Sequence, residues 1–141
     1  MRSLLVLCLS FVTAWAAPAS RPPNVLVILV DDLGYSDLGC YGGEIATPNI
    51  DRLAAGGVRF EKSYNSARCC PTRASLLTGL HPHEAGIGDF VRSKPTPNAG
   101  EAYTGHLLAS NQTLPELLAA RGYSTWMVGK WHMGVPGPMD R

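Results

Sequence analysis

The segment Asn24–Val30 is an unbroken run of leucine and β-branched residues, closed by Asp31 and Asp32. It is apolar at every position and too short for a long helix, so it reads as a central strand of a parallel sheet, buried on both faces. Thr47-Pro48 then supplies an N-cap and a first-turn proline, predicting a helix through about Ala55 that Gly56-Gly57 closes. Val58–Phe60 is a second short strand, and Pro71–Thr78 a second helix, stopped by Gly79. From His81 to about Ser110 the chain reads as loop, with Pro82, Pro95, Pro97 and several glycines. Thr113-Leu114-Pro115-Glu116 has the form of a capping box with proline in the first turn, opening a third helix that Gly122 ends. Tyr123–Val128 is a last strand, leading into Gly129-Lys130-Trp131-His132.

Strands alternating with helices imply an α/β sheet with right-handed crossovers. In open sheets of this class, ligands bind at the carboxyl ends of the strands. The polar clusters of this chain all follow strands or open helices: Asp31-Asp32, Cys69 with Arg73, and Lys130 with His132. The pattern therefore predicts that three segments far apart in sequence converge on one crevice.

Composition narrows the setting. The chain has 141 residues, a formal net charge of +1 and 45% hydrophobic residues. That is a globular balance, with no charge bias towards nucleic acid. The N-terminus carries a basic start, an apolar run from Leu4 to Val12, and the small residues Ala14-Trp15-Ala16-Ala17. This is a secretory signal layout, with cleavage expected after Ala16 and a linker over 17–23. No later segment is apolar enough to span a membrane, so the mature chain is expected to be secreted or periplasmic. Loss of the signal with its Cys8 leaves Cys40, Cys69 and Cys70, an odd count that points to a reactive or modified thiol.

Cys69 and Cys70 do not explain each other as a disulfide. Neighbouring α-carbons lie about 3.8 Å apart, below the usual range of about 4.4–6.8 Å for bridged cysteines. Cys69 stands before a helix whose free N–H groups and positive dipole end suit a thiolate or an oxyanion. Arg73 adds forked donors suited to a tetrahedral oxyanion. The bland alternative makes Cys69 a buried filler and Arg73 a surface charge. Asp31 and Asp32 are adjacent carboxylates that a hard divalent cation would neutralise, or else one caps the turn and the other is solvated. Lys130 and His132, two apart, share a face in extended chain: a lysine can hold an anion and a histidine can move a proton. Otherwise they are an exposed lysine and a hydrogen-bonded histidine. His81 and His83 lack a thiol or carboxylate cluster of zinc spacing nearby.

The stretches "NVLVILVDDLGYSDLGCYG", "TPNIDRLAAGGVRFEKSYNSARCCPTRASLLTG" and "GYSTWMVGKWHMG" together resemble the N-terminal part of the type I sulfatases, in the alkaline phosphatase-like superfamily. The resemblance runs from Asn24 to Gly134, and its central motif, Cys-x-Pro-Ser/Thr-Arg followed by Leu-Thr-Gly, falls on Cys69–Arg73 and Leu77–Gly79. It implies an α/β fold: the incomplete N-terminal portion of a three-layer arrangement around a mainly parallel central sheet, over residues 24–141. It implies hydrolysis of sulfate esters, with Cys69 oxidised by a maturation enzyme to Cα-formylglycine, whose hydrate attacks sulfur and then expels sulfate. Asp31, Asp32 and the residue made from Cys69 would hold Ca²⁺, with Mg²⁺ the second choice. Arg73 would hold the formylglycine, Lys130 would contact the sulfate, and His132 would assist the elimination. Cys70 occupies a variable position of the motif.

Full sulfatases are several times longer, and they complete the metal and sulfate sites with later residues. The segment "VPGPMDR" supplies none of these, because Asp140 lacks a neighbouring Asn. The chain is therefore expected to be a truncated N-terminal fragment that carries one wall of an active site. Two other readings stand beside it: a phosphate or phosphonate monoester hydrolase of the same superfamily, and a non-catalytic secreted remnant.

Overall fold

The computed structural model describes residues 21–91 and 100–134. The expected signal peptide, most of the linker and Asp140 lie outside the described residues. The chain divides into two units, with the boundary between Val30 and Asp31.

In the first unit the described residues 21–30 form neither helix nor strand, and the side chains from Val25 to Val30 are 40–84% exposed. The second unit holds three α-helices: α1 (Pro48–Gly56), α2 (Cys69–Thr78) and α3 (Leu114–Ala119). Short 3₁₀ turns lie at Tyr35–Asp37, Gly39–Tyr41 and Glu101–Tyr103. No strand is formed among the described residues, so the segments read as strands at Asn24–Val30, Val58–Phe60 and Tyr123–Val128 carry no ladder. The physical reason lies in what a strand needs. A helix satisfies its backbone locally, whereas a strand exists only by pairing with another. These segments keep the composition of buried strands but stay open to solvent, with Val58, Phe60, Trp126 and Val128 all well exposed.

The helices follow their end signals closely. Thr47 stands at the N-cap position of α1 with Pro48 in its first turn, as the sequence predicts, although its side chain makes no cap hydrogen bond. The Thr47 hydroxyl donates to Asp51 Oδ1 at 2.9 Å, and Asp51 Oδ1 also accepts the Cys40 N–H at 2.8 Å. That ties α1 to the Gly39–Tyr41 turn. At α3, the backbone N–H and hydroxyl of Thr113 both donate to Glu116 Oε2, at 2.7 and 2.9 Å. α2 starts two residues earlier than its proline signal, at Cys69, and ends at Gly79 with φ 71°. A left-handed residue there lets the Gly79 N–H reach the Ser75 carbonyl at 2.8 Å.

α2 positions the site. Cys70, Arg73, Ala74 and Leu77 follow the spacing of one helix face. Cys70 and Ala74 are fully buried, in a core completed by Ala85, Ile87, Val91, Leu107 and Met133, with Cys69 and Leu77 packed against it. Much of the expected loop after His81 is folded tightly over this face. Ile87 N–H donates to the Pro82 carbonyl at 2.9 Å and Gly88 N–H to the Ala102 carbonyl at 2.8 Å. The Gly86 carbonyl takes both the Gly105 N–H and the Thr104 hydroxyl, at 3.2 and 3.0 Å.

Candidate active site

The N-terminal turn of α2 carries Cys69, Cys70 and Arg73 into the second unit, and the sequence just before it explains how. Asn65 Oδ1 accepts the Ala67 N–H at 2.7 Å, holding Ala67 at φ 55°. Thr72 Oγ1 accepts the Ser66 N–H at 3.2 Å. The chain thus enters the helix by a tight corner that side chains of its own segment fix in place.

Arg73 is 7% exposed, so it is a buried cation and not a surface charge. Its guanidinium forks between two partners: Nη1 donates to the Lys130 carbonyl at 2.6 Å and Nη2 to Asp31 Oδ1 at 3.2 Å. The other oxygen of Asp31 takes the Lys130 ammonium at 2.6 Å. One carboxylate therefore holds two cations, from segments 42 and 99 residues away along the chain. The triad has one positive charge in excess, which favours an anion nearby.

The hydrogen bond from Lys130, and after it that from Arg73, holds the Asp31 carboxyl below its ordinary value of 3.8. The same bond raises Lys130 above 10.5. A carboxylate lowered on folding contributes stability that is complete above 3.8 and disappears as pH falls through the lowered value. A lysine raised on folding contributes stability that is complete below 10.5 and is lost as pH rises through the raised value. The pair is thus intact throughout the neutral range. In a ¹³C NMR titration of the Asp31 carboxyl, Lys130→Met is expected to move the midpoint back up towards 3.8. An unchanged midpoint in that variant would disprove the pairing.

The other sequence-predicted residues lie on either side of this triad. Asp32 follows at φ 53°, exposed to solvent and outside the ion-pair cluster. His132 has φ 54°, so the chain is not extended there. Aspartate and histidine tolerate this left-handed region better than most residues, and such strain collects at functional sites. A ring nitrogen of His132 and the sulfurs of Cys69 and Cys70 all lie within 4.8 Å of one another. The imidazole also meets Phe90 edge to face, with ring centroids 5.0 Å apart. His81 and His83 lie elsewhere and stack on each other at 4.9 Å.

Neither Phe90 nor a role for Cys70 is signalled by the sequence. Cys70, a variable motif position, is fully buried and its Sγ accepts the Val91 N–H at 3.4 Å. Burial pushes its thiol above the ordinary value. Cys69 is only half-buried, so the filler of the pair is Cys70. Residues 90 and 91 carry no motif of their own, and only the fold brings them to α2.

The residues at hand fit a hard divalent cation in their donor chemistry. Asp31 and Asp32 offer carboxylate oxygens; those of Asp31 are held here by Arg73 and Lys130, and those of Asp32 are exposed. The Cys69 thiol is a soft donor and suits such a cation only once an oxygen stands in its place.

A profile of the sulfatase family matches residues 23–136. The chain is 50% identical to human arylsulfatase A over 123 residues, which is 84% of this chain and 22% of that protein. It is 43% identical to mouse steryl-sulfatase over 122 residues, covering 85% of this chain and 19% of the relative. With the arylsulfatase of Klebsiella aerogenes it shares 39% identity over 145 residues, covering 99% of this chain and 31% of the relative. The chain thus spans between a fifth and a third of the length of these relatives. A match over most of its residues, at this level of identity, shows that the chain belongs to the sulfatase family.

Proposed function

We propose that this chain is the nucleophile-bearing N-terminal part of a secreted or periplasmic sulfate-ester hydrolase. The observation that carries the reading is the Arg73–Asp31–Lys130 triad, which gathers three of the family's motif segments at the N-terminal end of α2. The α/β sheet that the family implies would be built on the exposed apolar runs at Asn24–Val30 and Tyr123–Val128.

Each residue has a physical task in this reading. Cys69 is the half-buried member of its pair, open to conversion by a maturation enzyme to Cα-formylglycine, while the buried Cys70 stays a thiol. Asp31 and Asp32 would hold a divalent cation, Ca²⁺ before Mg²⁺, together with the oxygen at position 69. That cation supplies Lewis acidity towards the sulfate oxygens. Arg73 fixes Asp31 from the buried side. The Lys130 side chain is 40% exposed, and an anionic ester competes with Asp31 for its ammonium. His132 stands within reach of position 69, where it can hold or move a proton.

The test is to produce the intact protein with and without a formylglycine-generating enzyme and to map residues 69 and 70 by mass spectrometry. The expected result is an aldehyde at position 69, a thiol at position 70, and aryl sulfate turnover that scales with aldehyde occupancy. An unconverted Cys69 in the presence of the maturation enzyme would sink the reading. Faster turnover of aryl phosphate than of aryl sulfate would transfer it to the phosphate-ester branch of the superfamily.

A further inference from the structure

We infer that Cys69, Cys70 and His132 form a binding site for a soft divalent metal ion, zinc foremost, in the chain whose Cys69 is still a thiol. Two sulfurs and an imidazole nitrogen lie within 4.8 Å of one another. Donor atoms around a tetrahedral zinc lie roughly 3.5–3.8 Å apart, given Zn–S of about 2.3 Å and Zn–N of about 2.0–2.1 Å. The three groups therefore need to draw in by at most about 1.3 Å.

Independent features support the site. His132 Nδ1 is buried without a hydrogen-bond partner among the described residues, a costly state that a ligand at that nitrogen would relieve. Cys70 Sγ already accepts the Val91 N–H at 3.4 Å, a contact that strengthens when the sulfur carries thiolate charge. The Phe90 ring fixes the imidazole plane from its edge. Cys69 and His132 are only half-buried, which leaves an ion a path in, and a three-ligand zinc site takes water as its fourth ligand.

Binding forms two S–metal bonds and one N–metal bond, and each thiol passes its proton to solvent; no oxidation state changes. The site is distinct in chemistry from the carboxylates of Asp31 and Asp32, whose hard oxygens select a different class of ion. On the function proposed above, conversion of Cys69 removes one of the two thiolates. The soft site therefore belongs to the unconverted chain, and an ion held there shields Cys69 from oxidation.

The probe is Co²⁺, followed by Zn²⁺, added to the full chain made without a maturation enzyme, so that the result does not depend on the sulfatase reading. One Co²⁺ per chain is expected, with thiolate-to-cobalt charge-transfer absorption and tetrahedral ligand-field bands that Zn²⁺ abolishes. Cys70→Ser and His132→Gln should each weaken binding by about tenfold or more, while Cys40→Ser leaves it unchanged. Because Cys70 is a core residue, a measurement on the unaltered chain accompanies the variants: Zn²⁺ should slow alkylation of Cys69 about tenfold and leave Cys40 alone. Absence of charge-transfer absorption, its persistence in a folded Cys70→Ser chain, or equal protection of Cys40 and Cys69 would overturn the site.

Discussion

Arg73→Ala is expected to lower stability by about 2–3 kcal/mol, the range for losing hydrogen bonds made by a buried charged group. The side chain is 7% exposed, and its two bonds join α2 to the Lys130 carbonyl and to Asp31. Asp31 is 40% exposed, so water recovers that carboxylate and screens its share of the loss. The larger part comes from the Lys130 carbonyl and from the emptied space beside the α2 core. Arg73→Lys keeps the charge but has a single ammonium for two partners in different directions, so it should restore only part of the difference. Urea unfolding followed by circular dichroism reads both variants. A loss for Arg73→Ala within about 0.5 kcal/mol, the level of ordinary surface substitutions, would show that the guanidinium is not holding the segments together.

Gly86→Ala should be more damaging still. Gly86 has φ 86°, and a Cβ there would stand 2.7 Å from the His106 carbonyl oxygen and 2.7 Å from Thr104 Oγ1. The first of these atoms is backbone, and the second is pinned by its own bonds to the Gly86 and His106 carbonyls. Neither can step aside, and the flanking Ala85 and Ile87 are locked in the core. The left-handed conformation costs about 1–2 kcal/mol for an L-residue and the clash about 1–3 kcal/mol more, giving roughly 2–5 kcal/mol in all. Gly79→Ala is the matched control, because Gly79 has φ 71° but nothing within 4 Å of its Cβ position. It should show the conformational part alone. Equal losses at the two positions would mean that the packing of residues 85–87 against 104–106 is looser than the structure shows.

The sequence was most informative where structure is local. The helix ends at Thr47-Pro48, Thr113–Glu116 and Gly79 were legible because caps act within one turn, whatever surrounds them. The convergence of Asp31, Arg73 and Lys130 is expected from strand ends, yet among the described residues it stands on the ion pairs and the Lys130 carbonyl and not on a sheet. Sheet pairing was not legible in the same way. Asn24–Val30 has the residues of a buried strand, but pairing is a property of two segments and composition describes only one. Cys70 escaped for a similar reason, since nothing in "RCCPTR" tells which cysteine faces the core until α2 is wound and its face chosen. His132 was legible as a residue type but not in its backbone, which turns left-handed at φ 54° where an extended chain is expected.

The exposed run from Val25 to Val30 bears on how copies of this chain treat one another. Six consecutive leucine, isoleucine and valine residues without charge, proline or glycine are the composition that favours intermolecular cross-β pairing. Natural sequences restrain such segments with flanking charges that act as gatekeepers. Here the flanking charges are Asp31 and Asp32. Asp31 is neutralised by Lys130 and Arg73, so the exposed Asp32 is the carboxylate left to repel a second copy at the end of this stretch. Replacing Asp32 with a neutral residue would remove a candidate cation ligand and this restraint on association together.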